Sequence, residues 1–376
     1  MYRKARIKEE NTYCDRTPAL LIDVDKMEAN IRHMAMIADR HHKKLRPHAK
    51  THKMPAVARK QLQAGAAGIT VAKVSEAEVM AANGIDDIFI AYPIVTASKI
   101  ERVLALAGKV NRLIVGIDSL EGAMQLSQTA TKANAVIEVR LEIDTGMRRT
   151  GVLYEDSLHL ASRIHALDHL NLSGIFTFRG AFMNGAPTLD LRSAGIEEGN
   201  LMAELAEKMK AQGIPISDVS VGSTPTAEYA AEVNGVTEIR PGTYVFQDQM
   251  QARLGVCTLD QCAGTVLATV VSRPSPNYAV IDGGSKTFAT DVQPNTEPLQ
   301  LRGFGHILGA PDAVLERLSE EHGVIRLNGN QPWKIGEQIQ IVPNHICSTV
   351  NLHNNVYWVD GERIEKVKVL GRGMLE

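Results

Sequence analysis

Cysteine, long apolar runs and charge imbalance are all scarce in this chain of 376 residues. No stretch approaches the roughly 18 to 20 consecutive apolar residues a membrane-spanning helix needs. The start, MYRKARIKEENTY, is charged and lacks the apolar core of a secretory leader. A soluble, cytoplasmic protein is therefore expected. Lys and Arg number 41 against 43 Asp and Glu, a net charge of −2, so no global field attracts nucleic acid or an anionic membrane. Small molecules are the expected partners. The four cysteines, Cys14, Cys257, Cys262 and Cys347, are too few and too scattered for a disulfide scaffold, which leaves reduced thiols.

What is present is a rhythm. From residue 45 to 246 short apolar strands alternate with amphipathic helical stretches. The strand candidates are LRPHA, GITVAKV, DIFIAYP, RLIVGID, AVIEVRLEID, LSGIFTF, DVSVGS and TEIRPGTYVF. Helical patterns lie at Ser75 to Asn83, Ala97 to Ala107, Leu120 to Ala130, Ser157 to Leu167 and Glu197 to Gln212. Eight strands separated by helices match a parallel (β/α)8 TIM-type barrel, with an open doubly wound sheet as the rival arrangement. An earlier strand, Ala19 to Asp23, and a helical pattern from Asp25 to Arg40 would plug or extend that barrel. Beyond about residue 250 the pattern turns to β-strands split by Gly, Pro and Asn turns: GTVLATVVSRP, YAVIDGG, GVIRL, QIQIVP and NNVYWVDGERIEKVKVL. The expected domains are a barrel over 15–250 and a mainly-β domain over 251–376, to which 1–14 could be added.

In a barrel of this kind, reactive residues collect just after the strands. Lys50 follows the first, inside LRPHAKTHK, where Arg46, His48, His52 and Lys53 make an electropositive setting that favours the neutral, nucleophilic amine. Asp144, Thr145, Gly146, Arg148 and Arg149 follow the fifth, and Arg179 with Gly180 the sixth. Gly222, Ser223 and Thr224 follow the seventh, and Gly242, Thr243 and Tyr244 the eighth. Glycine lets a backbone approach an anion while hydroxyls and amides donate to it, so these last two loops are the phosphate candidates. A strand-end lysine opposite a phosphate cradle suits pyridoxal 5'-phosphate, with Lys50 as the Schiff-base lysine. Arg149 is placed to donate to the cofactor ring, or else to pair with Asp144 or Glu142. Near the C-terminus, PNHICSTVNLHNN sets His345 and Cys347 two positions apart, on one face of an extended strand, an N and S pair suited to Zn2+. His353 is either a further ligand or a surface residue. In EEHG, His322 is a possible acid or base, with a helix C-terminus as the structural alternative.

LRPHAKTHK, EIDTGMRRTG, VSVGSTPT, EIRPGTYVF, EEHG and PNHICSTVNLH occur in this order, and as a set they make the chain resemble the D-threonine aldolase and D-serine dehydratase family. The resemblance runs from about Thr17 to the C-terminus. It implies an alanine-racemase-like barrel (pyridoxal phosphate fold type III) followed by a β domain, lyase chemistry on D-3-hydroxy amino acids, and a divalent metal, Zn2+ or Mn2+, held by His345 and Cys347. It also implies a head-to-tail homodimer with active sites shared between the chains. An HxC metal pair leans toward the dehydratase branch over the aldolase branch. FTFRGAFMNG departs from the family's histidine- and glycine-rich segment after the sixth strand, and Arg179 there is a candidate for bidentate binding of a substrate carboxylate. Lys50, His322 and Arg179 are thus the catalytic candidates. β-Elimination to a 2-oxo acid and ammonia competes with retro-aldol cleavage to glycine and an aldehyde. The rival functions are an amino-acid racemase, which would recruit Tyr278 or Tyr357 as a second base, and a non-catalytic pyridoxal phosphate-binding regulatory protein.

Overall fold

The computed structural model describes residues 16–328 and 333–376. Cys14 and the segment 1–14 lie outside the described residues. Two compact units emerge. One comprises Ile31–Lys50, Met54–Gly242 and Gly373–Glu376, and the other the described residues up to Asn30, Thr51–Lys53 and Thr243–Arg372. The border at Gly242 and Thr243 falls upstream of the expected 250/251.

The first unit is the eight-stranded parallel barrel. Its strands are Lys44–Leu45, Ile69–Val71, Asp87–Ile90, Arg112–Ile117, Ile137–Asp144, Leu170–Phe176, Asp218–Val221 and Glu238–Ile239. They neighbour one another in chain order, and the eighth pairs back onto the first through Glu238↔Lys44 and Ile239↔Leu45. A parallel bridge from His48 to Thr70 closes the remaining seam. Because side chains alternate across a strand, the outward set (Ile88, Ile90, Val115, Ile117, Val139, Leu141) packs with the helices into one apolar cluster. The inward set is mixed. Phe89 and Phe176 meet edge to face with centroids 5.0 Å apart, and guanidinium groups of Arg140 and Arg240 lie over these rings.

Charge occupies the floor of the barrel. Fully buried Glu238 accepts from Arg46 Nε at 2.8 Å and Arg140 Nη1 at 2.6 Å, while Arg46 also reaches Asp87 and Arg140 reaches Asp218 at 3.1 Å. Gly68 makes this possible, since a side chain there would collide with the Arg46 guanidinium and Asp87. Burial alone would raise the pKa of Glu238, but Arg140 and Arg46 outweigh it and hold the carboxyl far below the usual range. Arg46, one of the cations expected to surround Lys50, is thus paired with Asp87 and Glu238.

The second unit is built on a nine-stranded sheet. Ala19–Asp23 lies inside it, antiparallel to Gly264–Ser275 and parallel to Asn355–Asp360, so this strand neither plugs nor extends the barrel. Its apolar ALLI run needs two neighbouring strands, and this sheet supplies them. Short strands at Gly305–Ile307 and Val314–Leu318, unmarked by any long β-pattern, complete the sheet. No described helix is long and apolar enough to cross a membrane.

Glu238→Ala should destabilise the protein by about 3–5 kcal/mol, because Arg46 and Arg140 would remain buried without their shared carboxylate; denaturant unfolding checks it. As the folded pKa is depressed, this contribution is present above the ordinary glutamate pKa and is lost as pH falls toward the folded value, so the deficit of the variant should shrink in acid.

Candidate active site

Lys50 sits in a 3-10 turn, Ala49–Thr51, just beyond the first barrel strand, and its amide donates to His48 Nδ1 at 3.4 Å. Its Nζ lies 5.1 Å from the centre of the Phe178 ring, and the Arg149 guanidinium lies 4.9 Å from the same ring. Phe178 follows the sixth strand, so residues from three strand ends converge. A ring face attracts each cation by about 0.5–1 kcal/mol at exposed sites. Phe178 was not among the expected residues, though an aromatic just past a strand end is a visible signal. The turn carrying Arg149 is shaped by Asp144, which accepts the amides of Gly146 at 2.8 Å and Arg148 at 3.1 Å. Gly146 at φ 121°, Arg148 at φ 55° and Gly151 at φ 103° turn the chain sharply, and Glu142 takes the Thr150 hydroxyl at 2.9 Å. Of the two carboxylates in the alternative role for Arg149, Asp144 accepts backbone amides, and Glu142 takes Thr150 on one oxygen while still feeling the Arg149 charge.

After the seventh strand, Gly222 has φ 82°, and the Ser223 amide and hydroxyl approach Thr226 Oγ1 at 3.1 and 2.9 Å. Thr226 reaches Glu198 Oε2 at 3.3 Å. Glu198, on the helix Leu191–Ala211, is fully buried, and burial outweighs Arg240 and Arg179 to push its carboxyl up to about 7. No sequence expectation included it. Arg179 differs from expectation. It is 2% exposed, and its Nη2 is bound to Glu197 at 2.6 Å, while its Nε and Nη1 have no hydrogen-bond partner among the described residues.

In the other unit the expected strand over PNHIC ends at Pro343. His345 stands at the N-cap of the helix Ile346–Leu352, and Cys347 lies in its first turn. It is the helix start, not strand alternation, that brings imidazole and thiol together. His345 Nδ1 bonds Asp291 at 2.6 Å, Asp291 also accepts from Ser348 at 2.9 Å, and buried Asp248 accepts the Ile346 amide at 3.0 Å. Thr51 and Thr243 hydroxyls lie 3.1 and 3.4 Å from Cys347 Sγ. Burial raises the Cys347 pKa, but His345 and these hydroxyls outweigh it and the thiol is pulled down. Burial lowers that of His345, yet Cys347 and Asp291 drive it up. Each group therefore favours the charged form of the other.

These donors fit a divalent ion. Asp291 engages Nδ1, so Nε2 is the nitrogen that would give up its proton to bind an ion, the arrangement that metal-bound histidines use. Among the described residues no group of three or more His, Cys, Asp or Glu side chains is arranged to hold a metal, which leaves His345 and Cys347 as the two candidate ligands. His353 is not one of them: its Nε2 lies 3.1 Å from the Thr287 carbonyl. His322 is exposed in a hairpin turn joining Val314–Leu318 to Gly323–Arg326, where its carbonyl accepts the Ser319 amide at 2.9 Å, so EEHG ends no helix. Tyr244 is buried, Tyr357 is 8% exposed and Tyr278 is 37% exposed. The first unit likewise fits pyridoxal phosphate, with an amine and a guanidinium at one aromatic face and a glycine-led hydroxyl loop.

The alanine racemase N-terminal domain model matches residues 22–249, and a serine dehydratase domain model matches 263–359. The D-threonine aldolase of Arthrobacter sp is 33% identical over 95% of this chain and 93% of its own. The D-threo-3-hydroxyaspartate dehydratase of Delftia sp. strain HT23 is also 33% identical, over 89% of this chain and 91% of its own. The chain belongs to the D-threonine aldolase and D-serine dehydratase family. A solved D-threo-3-hydroxyaspartate dehydratase superposes with a TM-score of 0.87 at 31% identity, covering 94% of this chain and 97% of the other. That structure is a cysteine-to-alanine variant in the metal-free form, and a histidine-to-alanine variant of the same enzyme superposes equally well. The family assignment carries the barrel and its β domain with it.

In the metal-free protein, thiolate absorbance of Cys347 should titrate below the ordinary cysteine pKa of about 8.5. His345→Ala should move that titration upward, because the neighbouring imidazolium is what offsets burial.

Proposed function

We propose that this chain is a lyase dependent on pyridoxal phosphate and a divalent metal, removing the 3-hydroxyl of D-3-hydroxy amino acids to give a 2-oxo acid and ammonia. The observation that carries this reading is the thiolate and imidazole contact of Cys347 and His345, on a chain that also gathers Lys50 and Arg149 at the Phe178 ring. Elimination is preferred because the structurally similar dehydratase has been solved with a histidine and with a cysteine replaced, the cysteine variant in metal-free form.

Bound pyridoxal phosphate supplies an electron sink for charge developing at the α-carbon, and a divalent ion supplies a Lewis acid for the departing hydroxyl. Lys50 would hold the cofactor through its amine and, with that amine free, would serve as the base for the α-proton. Phe178 offers the flat surface for the cofactor ring, and Arg149 donates to a ring heteroatom or phenolic oxygen. Gly222, Ser223 and Thr224, with Gly242, Thr243 and Tyr244, receive the phosphate. His345 and Cys347 bind the ion, while Asp291 holds the His345 ring in position. Arg179 and His322 carry no step. The working form is a homodimer, and its setting is the cytoplasm.

Retro-aldol cleavage is the second reading. It is favoured by the D-threonine aldolase of Arthrobacter sp, whose similarity to this chain equals that of the dehydratase. Incubation with D-threonine and Zn2+ or Mn2+ separates the two: 2-oxobutanoate and ammonia are expected, and glycine with acetaldehyde would overturn elimination. Lys50→Ala should lower turnover by about 10²–10⁴-fold. Activity untouched by that variant or by a chelator would overturn the assignment of both cofactors.

A further inference from the structure

Behind the proposed phosphate loop lies a buried acid that no step above uses. Glu198 sits between Gly195 and Gly199, where the absent side chains let the helix press against Thr226, Tyr229 and Val233. The Gly222 amide and the Thr226 hydroxyl act on its carboxylate, and its Oε1 has no hydrogen-bond partner among the described residues. Thr226 Oγ1 also accepts the Ser223 amide and lies 2.9 Å from Ser223 Oγ. Glu198, Thr226 and Ser223 therefore form one chain of hydroxyl hydrogen bonds.

Such a chain has a direction, because each hydroxyl owns one proton and two lone pairs. With Glu198 ionised, Thr226 gives its proton to Glu198 and Ser223 gives its own to Thr226. Ser223 then has no proton left for an outside anion. With Glu198 protonated, the acid donates to Thr226, Thr226 to Ser223, and the Ser223 proton points outward. Thr226 Oγ1 accepts two hydrogen bonds and donates one in both states, so neither leaves it unsatisfied. The charged groups facing Glu198 are Arg240 and Arg179, which favour ionisation; Glu197 pairs with Arg179, and Glu142 acts on Arg240.

Resting on the reading of Gly222 to Thr224 as the phosphate loop, we propose that Glu198 is a positioning residue that sets the direction of this hydroxyl chain, so that phosphate binding at Ser223 takes up a proton at Glu198. The proton comes from solvent and no covalent bond changes. Phosphate affinity should be greatest below the pKa of Glu198 in the empty protein, and should fall as pH rises through it, by up to about tenfold per pH unit. Geometry and burial agree, since desolvation leaves this carboxyl titrating at about 7. The phosphate ester's own second ionisation, at about 6, acts in the opposite sense, which makes the sign informative.

The test is calorimetric titration of the full-length chain, stripped of cofactor, with pyridoxal phosphate near pH ~8 in two buffers of different ionisation enthalpy. Glu198→Gln presents an amide donor to Thr226 at every pH, so it should take up less proton than the wild type. Thr226→Val breaks the chain while keeping the Glu198 carboxyl in place and should likewise lower the uptake. It decides the matter if the Glu198 variant does not fold. Equal proton uptake in wild type and variants would overturn the coupling while leaving the functional reading intact. A wild-type chain that binds no pyridoxal phosphate would overturn that reading and this proposal with it.

Discussion

One carboxylate shared by two arginines governs the barrel. Glu238 on the eighth strand binds Arg46 beside the first and Arg140 on the fifth, with none of the three exposed. Each charge is costly to bury alone and tolerable only in the others' company, so the three strands hold one relative position. The same strands carry the chemistry four residues further on. Arg46 precedes Lys50, Arg140 precedes Asp144, Asp218 precedes Gly222 and Glu238 precedes Gly242 by that interval. In extended chain, four residues span roughly 13 Å. The ionic floor therefore sets the height at which the reactive ends emerge, without contributing to the reaction.

The barrel strands were legible because short apolar runs, apolar at alternate positions on the outward face, recur between amphipathic helical stretches. The long helix was only half legible: Glu197 to Gln212 shows the periodic pattern, but the structural start is Leu191, capped by Asp190 through the Ser193 amide at 3.0 Å. The three-residue strand Gly305–Ile307 is shorter than any periodicity can mark. Placing Ala19–Asp23 failed because a single apolar strand does not say which of two sheets it will join. That choice depends on partners far along the chain.

Within the site, the residues at strand ends were legible by position, and those that act through tertiary contact were not. Lys50 and Arg149 follow strands, but Phe178 gains its meaning only when both cations reach its ring. Glu198 looks like any charged residue on an amphipathic helix until Gly195 and Gly199 bring it against the loop. His345 and Cys347 were identified by residue type and spacing, while the geometry that joins them, an N-cap and the following helical turn, differs from the strand assumed. Arg179 shows the converse. Its type suggested a ligand for carboxylate, and a neighbouring glutamate claims it.

The placing of Ala19–Asp23 also bears on how the chain is made. Leu20 pairs with Val266 on one side and Leu21 with Tyr357 on the other, so the strand waits for most of the polypeptide before its edges are filled. During synthesis its ALLI segment leaves the ribosome long before its second partner, which lies far downstream. Such separations slow folding and expose an open strand edge. The barrel has the same trait on a smaller scale, since Lys44–Leu45 pairs with Glu238–Ile239. The open edge of Ala19–Asp23 therefore persists until Asn355–Asp360 has been made.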